Sequence, residues 1–154
     1  MSNQTYAETE STPSAIPSAV TTLVPALGRV MISTLFILAG LSKVAAPAAT
    51  IGYIQSVGLP LPSLAYGIAA FIEIVGGITL LLGYRTRIVA GALFVFTLAI
   101  AAFFHNHFGD QNQFIHFFKN IAICGGFLFV AVSGAGAWSL DALRLRRPGV
   151  PGRP

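Results

Sequence analysis

Residues 64–83 read LAYGIAAFIEIVGGITLLLG, an apolar stretch with a single charged residue, Glu73. A helix of this length spans about 30 Å, which matches the hydrocarbon core of a bilayer. Glu73 lies near its middle, where a charge is most costly, so we expect it to face another helix rather than lipid. Small residues recur around it at steps of three and four, namely Gly67, Ala70, Gly76 and Gly77. The stretch therefore predicts a transmembrane helix that a second helix approaches closely.

The rest of the chain has the composition of a membrane protein. Of its 154 residues, 55% are hydrophobic and only 9% are charged, whereas soluble domains average about 25% charged. Three further apolar segments lie at about 23–42, 87–104 and 114–135. We therefore predict an all-α, integral membrane four-helix bundle with a polar interior.

The positions of Lys and Arg predict how the bundle is oriented. With four spans, the second loop and both termini share one side of the membrane. That side holds these basic residues: Arg85, Arg87, Arg144, Arg146, Arg147 and Arg153. The opposite side has only Lys43 and Lys119. The positive-inside rule places both the N and the C terminus in the cytoplasm.

Three regions follow from these segments. Residues 1–21 are polar and rich in Ser, Thr and Pro, so we expect a disordered cytoplasmic tail. Residues 22–145 form the four-transmembrane domain, and residues 146–154 form a basic C-terminal tail. The connector at 43–63 contains three prolines and is expected to leave the helix. Near the end of the domain, Ser139 is placed to cap a short helix that has Asp141 in its first turn.

Several polar residues of the spans predict an internal polar site. Arg29 and Lys43 share one face of the first span, and Lys119 belongs to the fourth. Arg29 and Lys119 each lie about 8 Å inside opposite ends of the bundle, and Glu73 lies about 15 Å inside. Both long side chains can reach Glu73, and we expect Lys119 to be its partner. His116 and Asn120 share the face of Lys119.

Two interpretations of this site remain open. The charges pair only to hold the helices in register, or they line a pocket for a small polar or redox-active molecule such as a quinone head group.

The remaining candidate residues give weaker indications of a functional site. His105, His107 and Asp110 lie at the outer end, but two histidines two residues apart do not align on a helix. A polar cap is thus favoured over a metal site there. The single Cys124 excludes an internal disulfide and a CxxC redox pair. No basic patch interleaved with aromatic residues indicates a nucleic-acid partner.

The order of these features resembles the DoxX family of small, four-helix bacterial membrane proteins. The similar stretches are GRVMISTLFILAGLSKV at 28–44, FIEIVGGITLLLGYRTR at 71–87, FKNIAICGGFLFVAVSGAGAWSLD at 118–141, and the histidine turn FFHNHF. The resemblance covers about residues 22–145. It rests on one composite of residues in this order: Arg29, Gly40, Lys43, Glu73, Gly83, Lys119, Asn120 and Asp141.

The resemblance implies a multi-pass protein of the bacterial inner membrane. The family is named for a membrane subunit associated with a thiosulfate:quinone oxidoreductase, and other members are linked to membrane oxidoreductase complexes and thiol redox defence. It implies a membrane or quinone-facing component of an oxidoreductase system, with the bilayer, an oxidoreductase subunit or a second copy of the chain as partners. The chain shows no catalytic motif and no haem, flavin or iron–sulfur ligation pattern. No cofactor is evident from the residues, and a quinone is the one that stays open. Two other roles stay open: a scaffold or assembly partner for a soluble enzyme, and a small transporter.

Overall fold

The structure, a computed structural model, describes residues 18–145, and this part of the chain is helical without strands. Its six helices are α1 (Ser18–Ala45), α2 (Pro47–Ser56), α3 (Pro62–Leu82), α4 (Thr86–Phe104), α5 (Gln111–Ser133) and α6 (Leu140–Leu145). The basic tail at 146–154 and most of the predicted N-terminal tail lie outside the described residues.

Four of the helices, α1, α3, α4 and α5, are long and apolar enough to cross a membrane. The predicted all-α membrane fold is therefore confirmed. α1 starts five residues earlier than the predicted span, within the segment expected to be tail, and continues past Pro25. α5 also starts early because Asp110 caps it: its carboxylate accepts hydrogen bonds from the backbone N–H groups of Asn112 (2.7 Å) and Gln113.

The connector between the first two spans contains a helix, which corrects the expectation that residues 43–63 leave the helical conformation. Pro47 opens α2, and Pro62 opens α3. Proline favours the first helical position because its φ angle is already suitable and its missing N–H has no helical partner there. The turn between the two helices passes through Gly58 and Leu61, both with positive φ. Pro47 and Pro62 therefore start helices instead of ending them, whereas Pro60 lies in the turn between α2 and α3.

The centre of the bundle is apolar. α1 packs mainly on α3, and α4 packs mainly on α5, while α3 and α4 join the two pairs. Phe36, Leu80, Leu93 and Phe127 form the buried core, and the rings of Phe36 and Phe127 meet edge to face at 5.3 Å. Large apolar side chains cover the lipid-facing surface. The interior is thus mixed: this core is apolar, and the polar side chains of Ser33, Glu73 and Thr97 are buried at other positions of the spans.

Two glycines allow α1 and α3 to pack closely. A Cβ atom on Gly40 would lie 2.6 Å from Cγ1 of Ile74, and one on Gly77 would lie 3.2 Å from the backbone nitrogen of Ile37. Such distances leave no room for a side chain, so the helix backbones are in near contact at this crossing. Gly40 lies one turn before Lys43, and Gly77 lies one turn after Glu73, so the crossing fixes the separation of these two charges.

The bundle has two ends, called here the α2 end, which also holds the loop at 105–110, and the α6 end. At the α6 end, α3 stops at Gly83, which adopts a left-handed conformation (φ 67°) that favours glycine. The N–H of Asp141 donates to the carbonyl of Gly83 at 2.9 Å. Ser139 caps α6 as predicted, since its hydroxyl accepts the N–H of Ala142 at 3.1 Å. α6 is therefore fastened to the turn between α3 and α4.

Candidate ligand cavity beside a buried ion pair

A cavity of about 600 Å³ lies at the α2 end, between α2, α3 and α4. Its walls are mainly apolar, and α2 lies over one side of it. Its polar lining consists of Lys43, Glu73, Thr50, Tyr53 and His105. Cavities of this size, apolar with a few convergent polar groups, are the usual binding sites for small molecules. The cavity is therefore the candidate functional site.

A lysine–carboxylate pair belongs to the cavity wall. The Nζ of Lys43 lies 2.8 Å from Oε1 and 2.7 Å from Oε2 of Glu73. The Glu73 side chain is 7% exposed, whereas that of Lys43 is 25% exposed. Oε2 makes the ionic contact but has no well-directed hydrogen bond among the described residues. The pair thus offers a bound molecule N–H donors on Lys43 and an acceptor on Glu73.

Aromatic and imidazole rings lie toward the loop side of the cavity. The ring of Tyr53, on α2, packs 5.6 Å from that of Phe104, at the end of α4. The Nδ1 atom of His105 is hydrogen-bonded to Oε1 of Gln113 at 2.8 Å, and its ring stacks on that of His116 at 5.1 Å. These contacts hold His105 in place, so that it closes the cavity beside the loop.

The structure separates Lys119 from this cavity, and the expected Lys119–Glu73 pair is not formed. Lys119 is exposed on α5, and no residue of α5 lines the cavity. α5 packs mainly against α4, whereas α1 packs on α3, so the carboxylate meets Lys43 instead. His116 reaches the cavity only through His105, and the half-buried Asn120 does not line it.

Arg29 also has a different place from the one expected. It is buried at the α6 end, where Nη1 donates to the carbonyls of Leu80 (3.3 Å) and Leu81 (3.1 Å). Nη2 donates to the carbonyl of Trp138. The last carbonyls of a helix have no hydrogen-bond donor within that helix. Arg29 supplies donors to the last carbonyls of α3 and also links α3 to the segment before α6. Its role is therefore in the packing of the α6 end, and it does not join Glu73.

The loop at the α2 end does not assemble a metal site from residues 18–145, where no three His, Cys, Asp or Glu side chains cluster suitably. The Asp110 carboxylate is occupied as the cap of α5, and His107 is exposed. His105 turns instead toward Gln113 and His116. These three predicted residues therefore have separate structural roles.

Tyr53 and its neighbours on α2 were missed by the sequence analysis. Thr50, Tyr53 and Ile54 line the cavity, and their spacing of three and four residues places them on one helical face. Pro47 followed by this spacing is typical of a short amphipathic helix and could have predicted α2. The other prolines of the connector favoured a non-helical segment instead.

Comparison with known proteins gives the chain two close relatives in Escherichia coli. The inner membrane protein YqjF is 36% identical over 117 residues, which is 76% of this chain and 88% of YqjF. The inner membrane protein YphA is 36% identical over 121 residues, or 75% of this chain and 86% of YphA. CatD of Bacillus subtilis, whose name assigns it provisionally to the oxidoreductases, is 46% identical over 70 residues, covering 46% of this chain and 50% of CatD. No solved structure matches the chain.

These relatives and the four membrane-spanning helices make the chain a multi-pass protein of the bacterial inner membrane. The DoxX family model matches residues 24–106, which include most of α1, all of α2 to α4 and every residue that lines the cavity. The chain therefore belongs to the DoxX family.

Proposed function

We propose that this DoxX-family protein is a quinone-facing membrane component of an oxidoreductase system. The observation that carries the proposal is the cavity of about 600 Å³ whose apolar wall contains the Lys43–Glu73 pair. An ion pair that served only to hold two helices needs no cavity next to it. Here the charged groups line an apolar space large enough for a planar ring with part of an apolar tail.

The chemistry of the wall suits a quinone head group. A quinone has two carbonyl oxygens that accept hydrogen bonds, and its reduced form has two hydroxyl groups that donate them. The ammonium of Lys43 donates, and the carboxylate of Glu73, which lines the cavity, is an acceptor, so both forms find a partner at one place. The rings of Tyr53 and Phe104 offer surfaces against which a flat ring packs.

The name of CatD supports a redox role only in outline, because the similarity covers half of that protein. The direct support is the pairing of an apolar cavity with polar groups inside a membrane domain. In this proposal the partner oxidoreductase supplies the electrons.

We further propose that the α6 end faces the cytoplasm, so that the cavity lies in the outer half of the membrane. Arg85, Arg87 and Arg144 lie at the α6 end, whereas Lys43 and Lys119 lie toward the α2 end. This asymmetry is the one that orients membrane helices. A Ser56→Cys variant in a Cys124→Ala background tests it, since Ser56 is exposed at the α2 end. We expect a membrane-impermeant maleimide to label intact spheroplasts; labelling only after lysis would reverse the orientation.

Quinone retention tests the proposed function. The full chain is extracted with its native lipid, and ubiquinone and menaquinone are quantified per protein by mass spectrometry. We expect the wild type to retain quinone well above its ratio in bulk lipid. Lys43→Met removes a hydrogen-bond donor from the cavity, and Ile68→Trp fills the cavity. Each variant should lower quinone retention several-fold. Lys119→Met, the matched loss of a lysine outside the cavity, should leave it unchanged.

The proposal fails if the wild type holds no more quinone than the surrounding lipid, or if Lys119→Met and Lys43→Met behave alike. Thermal unfolding of each variant in the same detergent shows that retention is compared between folded proteins. Recovery of a stoichiometric soluble enzyme without quinone would favour a scaffold role instead.

A further inference from the structure

A second cavity of about 600 Å³ lies at the α6 end, between the α3–α4 turn, the end of α5 and α6. Three arginines contribute to its wall: Arg85, Arg87 and Arg144. All three are exposed. The quinone proposal makes no use of this cavity, which lies at the opposite end of the bundle from Lys43 and Glu73.

Contacts with Tyr84 hold one of the arginines at this site, and a second lies close to the backbone at the end of α5. The guanidinium carbon of Arg144 lies 4.4 Å from the centre of the Tyr84 ring, and its Nη2 is 3.4 Å from the Tyr84 hydroxyl. Arg87 packs beside Gly134, where a Cβ atom would lie 3.5 Å from Nε. Stacking against a ring leaves the edge of a guanidinium free to donate hydrogen bonds.

The one acid in this wall, Asp141, is already engaged. Its Oδ1 accepts the N–H of Arg85 at 2.8 Å, and its Oδ2 accepts the N–H of Thr86 at 2.9 Å. Asp141 therefore accepts hydrogen bonds from N–H groups at the start of α4 that have no partner within the helix. Three arginines and one aspartate are among the residues that line the cavity, which gives its wall a formal charge of two positive units.

The cavity also lies where a lipid head group would be. Thr86 is the first residue of a membrane-spanning helix, so the arginines beside it lie at the level of the membrane surface. Ile88 and Leu145 line the same cavity and are 65% and 88% exposed, which gives acyl chains an apolar surface next to the charges. This combination of basic and lipid-facing apolar residues matches a phospholipid with a negatively charged head.

We propose that Arg85, Arg87 and Arg144 form a binding site for the phosphate group of an anionic phospholipid. Arginine suits phosphate because its planar fork donates two parallel hydrogen bonds. A zwitterionic lipid carries its own ammonium group beside the phosphate, so this basic site should bind phosphatidylglycerol in preference to phosphatidylcholine. The site would hold α6 and the α3–α4 turn against the membrane surface.

Native mass spectrometry of the full chain in detergent tests the site, with palmitoyl-oleoyl phosphatidylglycerol and the matching phosphatidylcholine as probes. We expect the wild type to bind phosphatidylglycerol more tightly, and Arg87→Gln and Arg144→Gln each to weaken that binding about fivefold. Lys119→Gln is the matched control, because it removes one positive charge at the other end of the bundle. Arg87→Lys keeps the charge but not the fork and should lie between the wild type and Arg87→Gln.

Two results with the lipid probes would overturn the proposal, as would either of the two competition and salt results given next. The first two are equal binding of the two lipids by the wild type and equal loss from Arg87→Gln and Lys119→Gln. Inorganic phosphate is added as a competitor, and full displacement of the lipid at millimolar phosphate would make this a site for free anions. The salt dependence of wild-type binding needs no variant: phosphatidylglycerol binding that does not weaken between low and high salt also contradicts a site built on arginines. Quinone retention is measured separately, so either proposal can fail alone.

Discussion

The Nζ atom of Lys43 lies within 2.8 Å of both carboxylate oxygens of Glu73. These residues are 30 positions apart and belong to α1 and α3. They meet because Gly40 and Gly77 let the two helices approach until their backbones are nearly in contact. The ion pair, the cavity beside it and the close crossing of α1 and α3 are therefore parts of one arrangement.

Breaking the pair from one side should destabilise the protein more than removing both charges. Lys43→Met leaves Glu73 buried without a counter-ion, and we expect a loss of about 1–3 kcal/mol. This is less than the 3–5 kcal/mol typical of fully buried pairs, because Lys43 is 25% exposed. Unfolding of Lys43→Met, Glu73→Gln and the double variant in one detergent measures the coupling. If the two single effects simply add in the double variant, the ion pair contributes nothing.

Adding one methyl group at the α1–α3 crossing should separate the helices. In Gly77→Ala the new Cβ would lie 3.2–3.3 Å from backbone atoms of Ile37 and Ser33, which cannot move aside as a side-chain tip can. We expect a loss of about 1–3 kcal/mol together with reduced quinone retention. Gly67→Ala is the control in the same helix, because its Cβ would meet nothing within 4 Å. Equal stability of the two variants would show that this crossing is not tightly packed.

Replacing Arg29 by Lys should weaken the α6 end although the charge is kept. The Arg29 side chain donates to the carbonyls of Leu80, Leu81 and Trp138, and a single ammonium cannot reach all three in this geometry. We expect a loss of about 2 kcal/mol, measured by thermal unfolding. Arg87→Lys is the control, because Arg87 is exposed at the same end. Quinone retention should be unaffected by Arg29→Lys. Strong loss of quinone in this variant would instead indicate that Arg29 belongs to the internal polar site, as the sequence predicted.

Asp141 should make the stability of the α6 end depend on pH. Partial burial acts to raise the pKa of its carboxyl group, but the hydrogen bonds from Thr86 and Arg85 and the charge of Arg144 outweigh it and hold this pKa below the ordinary 3.8. A lowered pKa in the folded state gives stability that is present above pH 3.8 and is lost as the pH falls through the folded-state value.

The comparison that isolates this effect is wild type against Asp141→Asn. The melting temperature of the wild type should be higher at neutral pH, and the difference should shrink below about pH 4. Asparagine cannot titrate and still offers one oxygen as an acceptor, so shape is largely kept. A difference that stays constant from pH 7 to pH 3 would mean that the charge of Asp141 does not stabilise the fold.

The spans could be predicted from the sequence because lipid imposes a simple requirement. Each helix must be about 30 Å long and mostly apolar, and such segments are visible without knowledge of their neighbours. The short amphipathic α2 was missed because ten residues carry a weak pattern and prolines fit either a helix start or a break. Pro47 and the spacing of Thr50, Tyr53 and Ile54 distinguish these cases only once the helix is known.

The partner of Glu73 shows where prediction from the sequence ended. Depth in the membrane made Lys119 as suitable as any other base, since depth follows from position along a helix. Depth alone does not show which way a side chain faces around the helix axis, or which neighbouring helix it meets. Lys119 lies on a helix that packs mainly on α4, and its side chain is exposed and does not line the cavity that holds Glu73.

The sequence alone thus determined the membrane class, the four spans and the presence of charges that lipid does not tolerate alone. Those properties depend on the composition of continuous segments. Only the tertiary structure decided that Lys43 neutralises Glu73, that Arg29 caps α3 and that α2 encloses a cavity. Each of these depends on helix rotation and close packing between distant segments, which is set by side-chain volumes at the crossings and not by hydropathy along the chain.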